Sequence, residues 1–165
     1  MLFRSEFVLA RRPNHANALN GSAVALAMQS RLPEAKARLE RSLRVVPDNP
    51  SAHNNLGNVC SMLGLPDEAI RHYRRATELK PNEPQAFMMI GSLLLQQEKF
   101  AEAAESFQRA LVINPANPDA HANLGFVFAR LGRREEALRA LRTALQQRPD
   151  FPQARAWLQA VEAAK

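Results

Sequence analysis

The chain repeats a pattern at an interval of 34 residues. Five columns keep this interval: two of proline, two of alanine and one of glycine. The columns are Pro13, Pro47, Pro81, Pro115 and Pro149; Pro50, Pro84, Pro118 and Pro152; Ala18, Ala52, Ala86, Ala120 and Ala154; Ala35, Ala69, Ala103 and Ala137; and Gly57, Gly91 and Gly125. A period of about 20–50 residues indicates an array whose units bury their apolar faces against one another.

Each repeat contains two stretches whose apolar residues recur at helical spacing. The first stretch runs from the early proline to a break such as "LGLPD" or "LGRRE". The second stops before "KPNEP" or "NPANP". Because proline is tolerated in the first turn of a helix and ends the helix before it, both prolines lie where a helix pair needs them. The sequence predicts antiparallel helix pairs joined by short loops.

These features together resemble the tetratricopeptide repeat, which has Leu-Gly in its first helix, a small residue opening the second, an aromatic residue or leucine four positions later, and a closing proline. The matching residues are Leu56, Gly57, Ala69, Tyr73, Ala76 and Pro81; Ile90, Gly91, Ala103, Phe107, Ala110 and Pro115; and Leu124, Gly125, Ala137, Leu141, Ala144 and Pro149. A degenerate copy has Ser22 and Ala23 in place of Leu-Gly, and the early aromatic position holds Leu19, His53, Phe87 and His121. The resemblance implies an all-α, right-handed α-solenoid of antiparallel helix pairs.

The same register divides the chain into one tetratricopeptide domain covering residues 1–165. Residues 1–15 form a half-repeat with the second helix only. Four full repeats follow at 16–49, 50–83, 84–117 and 118–151, and residues 152–165 form a capping helix of the kind that such arrays need at their ends. A half-repeat at residue 1 suggests a chain cut from a longer array, or an end that something else covers.

Composition places the chain among soluble globular proteins, with 46% hydrophobic and 23% charged residues and no stretch that could span a membrane. A single cysteine fits a reducing compartment, so we expect a cytoplasmic protein. The net charge of +6 comes mainly from arginines on the predicted second helices, where they alternate with glutamates. That pattern is typical of a solvated face, and we expect no nucleic acid partner.

Asparagines in the first helix of the second full repeat raise a separate question, because asparagine is unfavourable in helix interiors. At about 100° per residue, the side of this helix that carries Leu56, Gly57 and Cys60 faces the partner helices. Asn54, Asn55 and Asn58 lie on the opposite side, which the resemblance implies is the concave groove. Because an amide both donates and accepts hydrogen bonds, these residues are suited to hold the backbone of an extended peptide.

Equivalent positions extend the predicted groove, which is nearly uncharged and has an adaptable apolar part formed by methionine and phenylalanine. Its predicted peptide-binding residues are Asn20, Asn54, Asn55, Asn58, Met62, Met88, Met89, Ser92, Asn123, Phe126 and Arg130. Asn123 repeats the position of Asn55, as in the asparagine ladder of glycosyltransferase arrays. The groove lacks the set of lysines and arginines with which chaperone-binding relatives hold a C-terminal carboxylate, so we expect no chaperone-tail partner.

Two aromatic residues in the N-terminal half-repeat, Phe3 and Phe7, occupy positions where later repeats are mostly polar. Two aromatic residues one helical turn apart, on a face that is otherwise polar, indicate that this face is buried against another surface. We expect either a homodimer contact or docking onto an upstream segment.

No catalytic or cofactor-binding motif is present in the sequence. The four histidines lack partners at metal-ligand spacing, and His53 and His121 occupy packing positions. Cys60 is placed on the buried side, where a thiol is an inert packing group. Trp157 fits either the groove or the terminal cap. We expect no enzyme activity, no metal and no cofactor.

The sequence therefore predicts a protein–protein interaction scaffold that binds an extended peptide or a partner helix. Two alternatives stay open. One is an accessory domain that presents substrates to a larger glycosyltransferase or sulfotransferase, and the other is a structural protein that assembles into oligomers through its ends.

Overall fold

The computed structural model describes residues 2–12 and 15–164, with the side chains of 2–4 and 10 excepted. Within these ranges the chain forms ten α-helices and no strand. Their bounds are α1 Leu2–Arg11, α2 Ala16–Met28, α3 Leu32–Val45, α4 Pro50–Met62, α5 Pro66–Leu79, α6 Pro84–Gln96, α7 Phe100–Ile113, α8 Pro118–Arg130, α9 Arg134–Gln147 and α10 Pro152–Ala163. The predicted all-α architecture is confirmed.

The helices form two compact units, Met1–Pro81 and Asn82–Lys165. In the first unit α2 pairs with α3 and α4 with α5, while α1 packs on α2 and α3 packs on α4. In the second unit α6 pairs with α7 and α8 with α9, while α7 packs on α8 and α10 packs on α9. Both units are thus stacks of the predicted helix pairs.

Proline and asparagine define where the first helix of a pair begins. Pro50 and Pro118 occupy the first turns of α4 and α8, where no intrahelical donor is needed. The Oδ1 atoms of the preceding Asn49 and Asn117 accept hydrogen bonds of 3.1 Å from the backbone N–H of Ala52 and Ala120. Such caps contribute about 1 kcal/mol each.

A left-handed residue ends the first helix in all four pairs. Gly64 and Gly132 have φ of 73° and 72°, and Ser30 and Glu98 take the same conformation with φ of 61° and 57°. In each case the next residue donates to a carbonyl five positions back, as Leu65 does to Cys60 at 2.9 Å. This geometry turns the chain sharply into the second helix.

The glycines of the Leu-Gly pairs allow the two helices of a pair to approach closely. A Cβ atom added at Gly57 would lie 2.7 Å from the ring of Tyr73, and one added at Gly91 would lie 2.7 Å from the ring of Phe107. Both rings are fully buried. The aromatic side chain of the second helix therefore occupies the volume that a side chain on the first helix would need.

A half-buried polar cluster replaces the Leu-Gly packing in the degenerate first pair. Ser22 is fully buried, and its hydroxyl donates to Oε1 of Glu6 at 2.7 Å. The guanidinium of Arg38 donates to the same Glu6 oxygen at 3.2 Å and to the Ser22 hydroxyl at 3.1 Å. This cluster joins α1, α2 and α3. The divergent Ser22 thus has a hydrogen-bond acceptor, Glu6, that comes from α1.

His53 and His72 form a stacked pair between α4 and α5, with ring centroids 5.4 Å apart. Their Nδ1 atoms are 3.1 Å apart, and Nε2 of His53 lies 3.0 Å from the carbonyl oxygen of Pro47. If His53 donates to that carbonyl, its Nδ1 accepts a hydrogen bond from His72. Burial lowers the pKa of both imidazoles; the neighbouring Arg75 lowers that of His53 further, and His53 lowers that of His72.

Replacing Gly91 by alanine should destabilise the protein, although alanine is the better helix former. The new methyl group must displace the Phe107 ring, and overpacking of this kind typically costs about 1–3 kcal/mol. Urea unfolding followed by circular dichroism measures the change. The exposed Gln85 on the same helix offers a control, since Gln85→Ala should shift stability by less than about 0.5 kcal/mol. Equal stability of Gly91→Ala and the parent protein would contradict the close approach.

The histidine pair predicts that stability falls as the pH decreases below about 6.5. Because the folded state lowers both pKa values, the unfolded chain binds more protons in this range, so the stabilisation is complete above the unfolded pKa and is lost below it. The lowered pKa of Glu68, held by its hydrogen bond to Lys36, acts only in more acidic solution. Urea midpoints at pH 7.5, 6.5 and 5.5 measure the effect, which a His53→Gln/His72→Gln variant should lack. The same decrease in that variant would refute the assignment.

Candidate functional site

The candidate site residues of the first unit lie on α2 and α4, and we call them the asparagine patch. They are half-buried except for Asn58 and Met62, which are exposed, Met62 to 59%. The members of the patch are Asn20, Asn54, Asn55, Asn58 and Met62.

Two members of the patch form a hydrogen bond across the helices. Nδ2 of Asn55 donates to Oδ1 of Asn20 at 2.9 Å, which joins α4 to α2. An amide offers two N–H groups and two lone pairs, so this bond uses only part of what each side chain provides. The structure therefore brings together a pair of asparagines whose remaining donors and acceptors can take a ligand.

Asn58 has a structural partner that sequence reasoning missed. The hydroxyl of Tyr73 donates to Oδ1 of Asn58 at 2.6 Å. Burial raises the pKa of Tyr73 to about 12, so this hydroxyl stays protonated and needs an acceptor. A signal was present in the repeats: asparagine occurs at this position only where the second helix carries tyrosine, whereas Ser92 accompanies Phe107.

Three further ionisable residues of the first unit are either buried or paired with each other: Cys60, Lys36 and Glu68. Cys60 is fully buried, and burial raises its pKa to about 11, so the thiol is protonated at neutral pH. Nζ of Lys36 is 2.8 Å from a Glu68 carboxylate oxygen, and this hydrogen bond raises the pKa of Lys36 and lowers that of Glu68. A protonated thiol beside a closed ion pair is not an activated nucleophile.

The candidate site residues of the second unit lie on α6 and α8, and we call them the methionine–phenylalanine patch. All are half-buried except the exposed Arg130. The members of the patch are Met88, Met89, Ser92, Asn123, Phe126 and Arg130. Within the described ranges, the Asn123 side chain has no hydrogen-bond partner, so its whole amide is available.

A cavity of about 500 Å³ lies at the end of this patch, between α8, the start of α9 and α10. Phe126 and Trp157 form one side, with ring centroids 4.8 Å apart and planes tilted by 41°. Arg130 and Arg134 are the only charged residues among those lining it. Trp157 also packs against the core around Ala154, which resolves its two alternative positions: it belongs both to the cap and to the candidate surface.

Two arginines of the second unit that do not line this cavity are paired with carboxylates. Arg148 makes two hydrogen bonds to the Asp119 carboxylate, at 2.7 and 2.9 Å. Arg142 pairs with Glu162 at 2.9 Å. Such exposed ion pairs contribute little to stability, with a typical value of about 0–1 kcal/mol.

Phe7, the predicted N-terminal contact, is 59% exposed. The guanidinium of Arg11 lies over its ring, 4.3 Å from the centroid. The side chain of Phe3 lies outside the described part of the chain.

The described part of the chain, residues 2–12 and 15–164, contains neither a candidate metal site nor a candidate membrane span. No group of three or more histidine, cysteine, aspartate or glutamate side chains there could hold a metal ion. None of the helices in the same ranges is both long enough and apolar enough to cross a membrane.

Comparison with solved structures gives matches of high overall similarity. YrrB, described as a TPR protein with an unusual peptide-binding site, superposes with a TM-score of 0.82 at 28% identity, covering 94% of this chain and 80% of that one. A structure of MamA gives a TM-score of 0.85 at 21% identity, covering 88% and 80%. PilF of Pseudomonas aeruginosa gives 0.74 at 20% identity, covering 88% and 67%. No curated protein sequence matches significantly.

Family models account for most of the sequence. Two models of the tetratricopeptide repeat match residues 14–82 and 118–151, and a model of the TPR repeat matches residues 91–132. The helix pairs, the close glycine contacts and these matches agree. The chain therefore belongs to the tetratricopeptide repeat family.

Proposed function

We propose that this protein is a non-catalytic interaction scaffold whose asparagine and methionine–phenylalanine patches each bind an extended peptide or partner helix. Proteins of this family act as protein-interaction scaffolds. YrrB, the most similar in sequence of the structures compared above, is itself described by its peptide-binding site. In this chain, asparagine amides lie on the first helices α2, α4 and α8.

The observation that carries the proposal is the unused hydrogen-bonding capacity of those amides. Asn123 has no partner within the described ranges, and Asn55 uses one N–H of its amide for Asn20. Asparagine in a helix interior lowers helix stability, so these residues call for a compensating role. Hydrogen bonds to the backbone of a bound peptide would supply it, independently of the peptide sequence.

Asn58 has a different role from the other two. Its Oδ1 already accepts the buried Tyr73 hydroxyl, so its Nδ2 and the second lone pair of Oδ1 are left for a ligand. Removing Asn58 alone would leave that hydroxyl unsatisfied, at a cost of about 1–3 kcal/mol of stability. A test of ligand binding at this position therefore needs Tyr73→Phe as a companion substitution.

Apolar members of the patches complement the amides. Met62 is 59% exposed at the end of α4, and Met88 and Met89 are half-buried on α6. Methionine side chains adapt to apolar groups of varied shape. The patches therefore combine backbone recognition by amides with tolerant side-chain recognition.

Substituting Asn55 and Asn123 by alanine should weaken partner binding by about tenfold, because each substitution removes a hydrogen bond worth about 0.5–1.5 kcal/mol. Partners captured from a lysate are identified by mass spectrometry, and their binding to the purified protein is measured by calorimetry. An Asn82→Ala/Asn114→Ala variant, which alters two exposed asparagines outside both patches, is the matched control. Equal affinity of all three proteins for every partner would refute peptide binding by the amides.

The exposed Phe7 supports a second, independent contact, either a homodimer interface or docking onto an upstream segment. Burial of a phenylalanine is worth about 1.5–3 kcal/mol, so Phe7→Ser should weaken such an association without lowering monomer stability. Light scattering over a range of concentrations measures the first effect and urea unfolding the second. A parent protein that is monomeric at all concentrations would exclude the homodimer.

A further inference from the structure

The cavity beside Trp157 has a chemical character that the rest of the candidate surface lacks. Its volume of about 500 Å³ is in the range of small-ligand sites, which is about 300–1,000 Å³. Aromatic rings of Phe126 and Trp157 form one side, and the small Ala129, Ala160 and Val161 complete the apolar lining. This space suits one large apolar side chain.

The charge at this cavity is entirely positive. None of the residues lining it, which lie between positions 126 and 164, is acidic. Glu162, an acidic residue of the neighbouring α10, has its carboxylate paired with Arg142 at 2.9 Å. The cavity therefore complements a negative group.

The two arginines of the cavity are not equivalent. Arg134 donates to the backbone carbonyl of Glu162 at 3.1 Å and to that of Ala164, so it caps the C-terminal end of α10. Arg130 makes no hydrogen bond or ion pair with any residue in 2–12 or 15–164, and its guanidinium lies 4.8 Å from the ring centroid of Phe100. Arg130 thus presents its donors to an incoming group while the Phe100 ring supports it.

We propose that this cavity binds a protein segment in which a leucine or aromatic side chain lies next to a glutamate or aspartate. The apolar side chain enters between Phe126, Trp157 and Val161, and the adjacent carboxylate accepts charge-assisted hydrogen bonds from Arg130. The inference rests on the proposed function, because it assigns a ligand chemistry to one end of the methionine–phenylalanine patch.

A side-chain carboxylate fits this cavity better than the carboxylate at the end of a chain. Capture of a chain terminus uses several converging donors, such as a nest of backbone N–H groups. Here one guanidinium is unengaged, and the other already holds α10. The ligand is therefore an internal acidic and apolar segment.

Trp157 is the only tryptophan of the chain, so its fluorescence reports on this cavity. The probe is the pentapeptide Ser-Glu-Phe-Glu-Ser, acetylated and amidated, titrated at low and moderate salt. We expect a saturable change in emission, with binding at least about tenfold weaker when both glutamates are replaced by glutamine or the phenylalanine by alanine. Higher salt should weaken binding of the acidic peptide.

The protein variants test the role of Arg130 directly. Arg130→Gln should reduce binding of the acidic peptide to the level of its glutamine version, whereas Arg109→Gln, which removes an equal charge from the exposed face of α7, should leave it unchanged. Equal binding of the acidic and glutamine peptides, an unaffected Arg130→Gln variant or no saturable change would overturn the proposal. Tighter binding of Ser-Gln-Phe with a free C-terminal carboxylate would overturn it in favour of terminus capture.

The outcome of the cavity test can be distinguished from the outcome of the test of the proposed function. Asn55 lies in the other unit and does not line the cavity, so the pentapeptide titration reports on the cavity independently of the asparagine patch. A partner that requires Asn55 and Asn123 but is indifferent to Arg130→Gln would keep the scaffold function and remove only the acidic-segment assignment. Pentapeptide binding that depends on Arg130, with no partner that depends on the asparagines, would keep the acidic-segment assignment and remove peptide binding by the asparagine amides.

Discussion

The close approach of glycine to a buried side chain is the contact on which three of the four helix pairs depend. A ring of the second helix fills the place where Gly57 and Gly91 have no side chain, at a distance that no Cβ could tolerate. Because one face of each first helix is committed to this contact, its opposite face is left for other uses. The division of a first helix into a packing face and an opposite, outer face therefore follows from the repeat itself.

Several residues on the outer faces have partners within the protein, and this changes how these residues are interpreted. Asn58 supports the buried tyrosine of its own pair, and Asn55 is hydrogen-bonded to Asn20. Asn123, in contrast, has its whole amide available within the described ranges. The asparagines on these faces thus differ in how much of their hydrogen-bonding capacity the fold itself uses.

The interval of 34 residues, the proline and glycine columns and the helical spacing predicted the helix pairs and the family, because those features determine where helices begin, end and touch. The bond between Ser22 and Glu6 was beyond prediction, since it depends on how α1 packs on the first pair. The Trp157 cavity was likewise hidden, because the side chains that form it come from three helices. The division of the chain into repeats and the peptide-binding residues stay predictions.

The most direct test of the central claim, that the outer faces of the first helices contact partners, is site-specific photocrosslinking in cells. A photoreactive phenylalanine analogue is introduced in place of Asn123 on α8 or, as the matched position, in place of Arg109 on the exposed face of α7. The account predicts protein adducts from position 123 and none of those adducts from position 109. The same adducts from both positions, or adducts from position 109 alone, would contradict it.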